Sequence, residues 1–308
     1  MSILAIDFGG TRIRAGRFGS DLVLQERSES LSRVDQPQAA VIERLIGAAR
    51  AVCGRIPIAA VGISAPGPLD AEAGVIRHAK TLPGWRDVPL AQIVSEAFGG
   101  VPAAMNNDAN LAALAEYILG AGRDADPMLY LTLSTGIGGG AIIGGELFTG
   151  WRGLAIEPGH MRFTLPDGSI CRLEELASGT GLGELARRML ADDDRPSTLR
   201  AVPVVDGKAV GAAALAGDAL AVDVVRQAAT WLGLGFANLA HLFNPQAIVL
   251  GGSVTQLGDL LLDRARSVMQ DNLLDAGFYD TNLIRLAQLG DDVCLVGAAL
   301  YARRQFGL

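Results

Sequence analysis

Five side chains able to hold a metal or a polar ligand, Glu157, His160, Cys171, Glu174 and Glu175, fall within IEPGHMRFTLPDGSICRLEE, residues 156 to 175. Such a set can be a metal site, a group of hydrogen-bonding partners for a polar ligand, or ordinary surface. A second group lies in three glycine turns, each just past an apolar run: Gly9–Gly10–Thr11, Gly136–Ile137–Gly138–Gly139–Gly140 and Gly251–Gly252–Ser253. Glycine lets the backbone approach a ligand closely and adopt φ > 0, and successive backbone N–H groups can then cradle a phosphate. Thr11 and Thr135 add hydroxyl donors. One such turn is no more than a tight hairpin; three at similar strand ends point to a phosphate cleft. Asp7 precedes the first turn, where a carboxylate repels phosphate unless Mg²⁺ intervenes through its waters. The alternative is a strand-end Asp that caps a turn. Asp108, in Asn106-Asn107-Asp108-Ala109-Asn110, reads either as a general base or as a helix cap.

The elements that must carry these groups are readable from periodicity. Residues 2–18 read as strand, glycine turn, strand, and 128–147 repeat the pattern, which suggests an internal duplication. Residues 37–53 show helical spacing, and 58–70 form a buried strand running into a Pro/Gly loop. Residues 106–122 read as a helix stopped by Gly120 and Gly122. Residues 209–225 read as a buried helix, 217–243 as a long helix ending before Pro245, 246–253 as a buried strand, and about 256–270 as a helix. No Gly/Ser linker separates the halves, so two α/β lobes around a ligand cleft are expected. Neither a Walker-type phosphate loop nor a strand-to-helix Gly-x-Gly-x-x-Gly is present.

Bulk properties narrow the function. The chain of 308 residues is long enough for one large or two smaller cores, and its net charge of −7 argues against nucleic acid or anionic membrane as a partner. Cys53, Cys171 and Cys294 are far apart and odd in number, which suits a reducing cytoplasm rather than a disulfide framework. Asp7 breaks the N-terminal apolar run, so no signal peptide is expected. The segment 209–225 carries Asp218 and Asp223 and is not a membrane span.

DFGGTRIRAG, NNDANLAALAE, LTLSTGIGGGAIIGGELFTGWRG and EPGH together resemble the ROK family of sugar kinases, bacterial glucokinases in particular, in the family's order and spacing from residue 3 to VGAALYA near the C-terminus. The resemblance implies a two-lobed actin/hexokinase-like (ribonuclease H-like) ATPase fold. It places a smaller N-terminal lobe at 1–116, joined by a C-terminal helix at about 294–308, and a larger lobe at 117–293. It implies transfer of the γ-phosphate of ATP, with Mg²⁺, to the 6-hydroxyl of a hexose, a homodimer, and the cytoplasm. Asp108 takes the family's base position. Asn107, Glu157, His160, Glu174 and a backbone contact at Gly67 would hold the sugar. Asp7, Gly9, Gly10, Thr11, Thr135, Gly136, Gly138, Gly251 and Gly252 would hold the nucleotide, with Asp7 on the metal through water. Sugar-sensing repressors of the family carry a DNA-binding domain ahead of the first motif; with Asp7 seventh in the chain, none is expected here. N-acetylmannosamine, fructose or another sugar as acceptor, a donor other than ATP, and a catalytically weak sensor are the alternatives.

The departures from the family matter as much. Its structural zinc is bound by the His of Glu-x-Gly-His and three cysteines. Here the corresponding stretch is shortened and holds one Cys, Cys171, which with His160 does not close a four-coordinate site. No zinc is expected, and 156–175 is read as a sugar-binding edge. Thr81, in KTLPGW, replaces an Asn that contacts sugar; Ile156 replaces a Gly or Ala; Asn106 replaces a Glu.

Overall fold

The computed structural model describes residues 1–79 and 81–308; Lys80, the first residue of KTLPGW, lies outside them. The chain forms two compact units. Unit 1 is Met1–Arg123, Leu147–Ala155 and Gln288–Leu308, and unit 2 is Asp124–Glu146 and Ile156–Ala287.

Unit 1 begins with β1 (Ser2–Phe8), β2 (Arg12–Phe18) and β3 (Leu24–Leu31), followed by α1 (Gln38–Cys53) and β4 (Ile58–Ala65). The small hairpin β5 (Leu69–Asp70) and β6 (Val75–Ile76), α2 (Leu90–Ala97), β7 (Ala103–Asn107) and α3 (Asp108–Leu119) complete its first segment. Its sheet runs β3-β2-β1-β4-β7. The three strands β1–β3 are antiparallel and β4 and β7 are parallel to β1. Six of the seven residues of β1 are buried, as expected of a central strand covered on both faces, which reads as an unbroken apolar run.

Unit 2 starts with β8 (Met128–Leu133) and β9 (Ile137–Ile143); the two-residue β10 (Glu146–Leu147) lies where the units meet in sequence. Then come β11 (Arg162–Thr164), β12 (Ile170–Arg172), α4 (Leu173–Ala177), α5 (Gly179–Asp192), α6 (Gly207–Leu215), α7 (Ala219–Phe243), β13 (Ala247–Gly251), α8 (Asp259–Asp271) and β14 (Ile284–Leu286). Its sheet runs β10-β9-β8-β13-β14. Ranked by chain order, both sheets read third-second-first-fourth-fifth, the duplication suggested by the two glycine hairpins. The last helix, α9 (Val293–Phe306), belongs to unit 1, where Leu295, Ala298, Ala299 and Ala302 share a core with Ile3, Ala5 and Leu111.

Several expectations need correction. The division expected at 116/117 falls inside α3, and Leu147–Ala155, expected in the larger lobe, sits in unit 1. Thr149–Leu154 there share a groove with the β5–β6 hairpin, β7 and the end of α9, a long-range packing with no local signature. Asn106 and Asn107 end β7 rather than opening the helix. The apolar stretch 209–225 is two helices, because Gly217 turns at φ +87° and Asp218 starts a new helix by accepting from the Leu220 and Ala221 N–H groups. Gly138, Gly139 and Gly140 lie on β9 paired with β8, so the second glycine turn is only Ser134–Gly136.

Candidate active site

In unit 1, β1 delivers Asp7 to the sheet end just before the Gly9–Thr11 turn. The turn is closed by the Gly9 N–H donating to Arg12 O at 2.9 Å. The buried Ser32 pins it from outside, its Oγ donating to Gly9 O at 2.6 Å and its N–H to Thr11 O at 2.9 Å. Thr81 packs closely on Gly10, where an added Cβ would sit 3.1 Å from both Cβ and O of Thr81. Thr81, which stands where the family has a sugar-contacting Asn, thus lies against the Gly9–Thr11 turn. Asp7 is 6% exposed. Its Oδ1 accepts from Ser64 Oγ at 2.8 Å, and its Oδ2 from Arg14 Nε at 3.0 Å and Nη2 at 2.8 Å. Burial raises its pKa, against the pull of Arg14 and Ser64.

The β7–α3 junction presents Asn107 and Asp108. Asn107 is the N-cap, its Oδ1 accepting from the Ala109 N–H at 2.9 Å. Asp108, the first helical residue, is exposed and accepts from the same N–H at 2.8 Å. The cap role that competed for Asp108 thus belongs largely to Asn107. Gly67 lies against the Asn107 amide, where an added Cβ would stand 3.0 Å from Nδ2. The Cys294 thiol of α9 donates to Asp108 O at 3.8 Å. Burial, then the charges of Asp7 and Asp108, push its pKa well up. Asp7 and Asp108 thus flank one thiol, and unit 1 brings them to one place.

In unit 2 the Ser134–Gly136 turn is held by the α4–α5 junction. The Gly179 N–H donates to Ser134 O at 2.7 Å and Thr180 Oγ1 to Thr135 O at 2.8 Å. Glu174 Oε2 accepts from the Ile137 N–H at 3.1 Å and lies over Gly136, where a side chain would have to displace the end of Glu174. One carboxylate oxygen of the expected sugar ligand Glu174 is therefore tied to the end of the Ser134–Gly136 turn. Gly251 ends β13 beside Thr132. Gly252 follows at φ +91°, its Cα face pressed on Leu133 O. The second and third glycine turns meet at the carboxyl ends of adjacent parallel strands, the place where open α/β sheets bind ligands.

A cavity of about 620 Å³ opens beside them. Thr135 and Ser134 form one wall and Ser253–Leu257 another, while Gly179–Gly183 and Asp206–Lys208 close the rest. Leu182, Leu215, Val254 and Leu257 make it partly apolar, with Arg187 and Lys208 at its polar part. The N-termini of α5 and α6 both lie on its lining, as suits an anionic ligand. The reading of the sequence missed Gly179, Thr180, Asp206, Gly207 and Lys208. The available signal was Ser178-Gly-Thr-Gly, a capping serine before glycines at a helix start.

Glu157 precedes the short turn Pro158–His160, whose His160 N–H donates to Glu157 O at 3.0 Å. The Glu157 pKa is raised, chiefly by desolvation of its carboxyl group, with His160 opposing and Glu174 adding to the shift. Unit 2 thus brings Glu157, His160 and Glu174 within electrostatic reach of one another. Among the described residues no hydrogen bond fixes the His160 imidazole. Ile156 holds φ +64°, an outlier for a β-branched residue, of the kind that clusters at functional sites. Among the described residues no three His, Cys, Asp or Glu side chains converge as a metal site. Arg14 and Ser64 leave Asp7 a single unshared lone-pair direction on Oδ1. That donor set fits Mg²⁺ borne by a nucleotide and reached through water, not an ion resident on the protein. No helix among the described residues is long and apolar enough to cross a membrane.

The chain is similar to several known proteins over nearly its whole length. The glucokinase of Streptomyces coelicolor is 38% identical, the match covering 97% of each chain. The structure of a ROK family glucokinase from Streptomyces griseus, in complex with glucose and AMPPNP, superposes with a TM-score of 0.83 at 34% identity, covering 99% of this chain and 100% of that one. The ROK hexokinase of Thermus thermophilus gives 0.80 at 36% identity with 100% of both chains covered. The fold is accordingly the actin/hexokinase-like ATPase fold. The ROK family model matches residues 3–305, and the chain belongs to the ROK family.

Proposed function

We propose that the protein is an ATP-dependent sugar kinase of the glucokinase type, transferring the γ-phosphate of ATP to the 6-hydroxyl of a hexose. The observation that carries this reading is the exposed carboxyl group of Asp108 at the start of α3, beside Asn107 and Gly67. A carboxylate so placed can take the proton of a sugar hydroxyl as it attacks, while phosphoryl transfer otherwise needs positioning and charge stabilisation. Of the side chains whose donors and acceptors suit the hydroxyls of a neutral sugar, unit 1 offers Asn107 and unit 2 offers Glu157, His160 and Glu174. The glucokinase relatives support this acceptor, and the neighbour that holds glucose and AMPPNP supports ATP as donor.

Unit 2 offers a nucleotide the 620 Å³ cavity for its base and ribose and the Ser134–Gly136 turn for phosphate; unit 1 separately offers phosphate the Gly9–Thr11 turn. Asp7 would hold Mg²⁺ through water, and the ion would supply neutralisation of phosphate charge. Closing over the substrates would exclude water and limit wasteful hydrolysis. The three unpaired cysteines suit the cytoplasm.

The test is ADP release across hexoses and N-acetylhexosamines, for the native protein and Asp108→Asn. Turnover on one sugar, reduced by about 10²–10⁴ in the variant, is expected. Sugar binding by calorimetry with no turnover on any sugar refutes the kinase in favour of a sensor.

A further inference from the structure

Arg14 is the residue at the phosphate end of unit 1 that the function above leaves unused. It stands directly opposite Asp7 in the antiparallel β1–β2 register. Two of its nitrogens donate to one oxygen of Asp7, at 3.0 and 2.8 Å, and its third donates to the carbonyl of Asp291. The guanidinium is therefore fixed in place on both sides. The pair is largely withdrawn from water, with side-chain exposures of 22% for Arg14 and 8% for Asp7. The neighbouring Asp292 does not compete for it, being paired with Arg27 Nε at 2.9 Å.

We propose that Arg14 is a resident counter-ion that holds the place of a divalent cation on Asp7 whenever nucleotide is absent. The inference rests on the kinase reading and deepens it. With its charge matched, Asp7 does not recruit a free metal ion, and the phosphate turn does not repel an incoming nucleotide. Arg14 acts through Asp7 and is a positioning residue, not a catalytic one. A merely structural role, knitting β1 and β2 to the 291 loop, would change stability but not metal affinity.

A doubly charged cation about 6 Å from a guanidinium is disfavoured about tenfold even at the dielectric constant of water. Electron paramagnetic resonance of Mn²⁺, titrated into the full chain without nucleotide, reads this directly. Background binding is expected for the native protein and at least about tenfold tighter binding for Arg14→Met. The gain should disappear in Asp7→Asn/Arg14→Met, which identifies Asp7 as the acquired ligand. ADP binding in EDTA should weaken in Arg14→Met by a similar factor and recover with excess Mg²⁺. Arg14→Lys, which keeps the charge but reaches Asp7 with one nitrogen, should fall between. Should Arg14→Met fail to fold, as judged by circular dichroism, the neutral and polar Arg14→Gln decides: Mn²⁺ affinity above native supports the proposal, and unchanged affinity overturns it. Equal Mn²⁺ affinity in the native protein and a folded Arg14→Met, or unchanged metal-free ADP binding, also overturns it. A native protein that binds ADP neither with nor without Mg²⁺ would remove the kinase reading and this inference together, an outcome distinct from the first two.

Discussion

Glu116 is predicted to be among the costliest single positions in unit 1. It is fully buried on α3. Its Oε2 accepts from the Ala121 N–H at 2.8 Å, and its Oε1 from the N–H groups of Gln288 and Leu289, both at 2.9 Å. One carboxyl group thus satisfies three backbone donors, just before the chain leaves unit 1 after Arg123 and just after it returns at Gln288. Glutamine at 116 keeps one acceptor oxygen and turns an NH₂ towards donors on the other side. Whichever way the amide lies, at least one of these N–H groups faces an NH₂ in place of a carboxylate oxygen, at about 1–3 kcal/mol, and the remaining bonds lose their charge assistance. The expected cost of Glu116→Gln is about 3 kcal/mol, a large part of the stability of an ordinary domain. Urea unfolding gives the free energy, and hydrogen exchange at Ala121, Gln288 and Leu289 locates it. A loss below about 0.5 kcal/mol with unchanged protection at those amides would refute the reasoning.

Two further predictions concern unit 2. Asp218 caps α7 and also accepts from Thr198 N–H and Oγ1 and from Ser197 Oγ; burial is the largest single influence and opposes ionisation, but the hydrogen bonds together bring its pKa to about 2. Asp218→Ala should cost about 1–2 kcal/mol in thermal or urea unfolding. Because its folded pKa is depressed, that contribution is present above the ordinary 3.8 and vanishes as pH falls through about 2, so acid unfolding of the variant should lack this component. Glu157 behaves in the opposite sense. Its folded pKa is raised above 4.5, so the protonated native state is favoured at low pH and stability from this group falls as pH rises from 4.5 through the folded value. Glu157→Gln should flatten the stability–pH curve in that window; an unchanged slope would show that Glu157 is not the group responsible.

Much of the framework around the candidate site was legible because it is local. Three glycine clusters at the ends of apolar runs located the turns after β1, β8 and β13. The helix after Asn107 announced itself by its apolar spacing and by Gly120 and Gly122. The matching hairpins at 2–18 and 128–147 anticipated two sheets of one topology. What was misread also has local causes. Asn107 and Asp108 are both good capping residues, so spacing could not say which of them caps α3. Gly138–Gly140 look like a turn, yet the strand pairing of β9 with β8 claims them. The run 209–225 is apolar throughout, and only the backbone turn at Gly217 divides it.

The sequence by itself determined which residue types were available and where each strand and helix delivers them, because period and punctuation act over a few residues. The tertiary structure decided their partners. It set Arg14 on the Asp291 carbonyl, tied Glu174 to the Ile137 N–H, laid Thr81 against Gly10, and assembled one cavity from the segments near 134, 180, 207 and 254. Those meetings follow from sheet order and helix packing, which place side chains side by side across tens to hundreds of intervening residues, a distance over which neither propensity nor periodicity carries information.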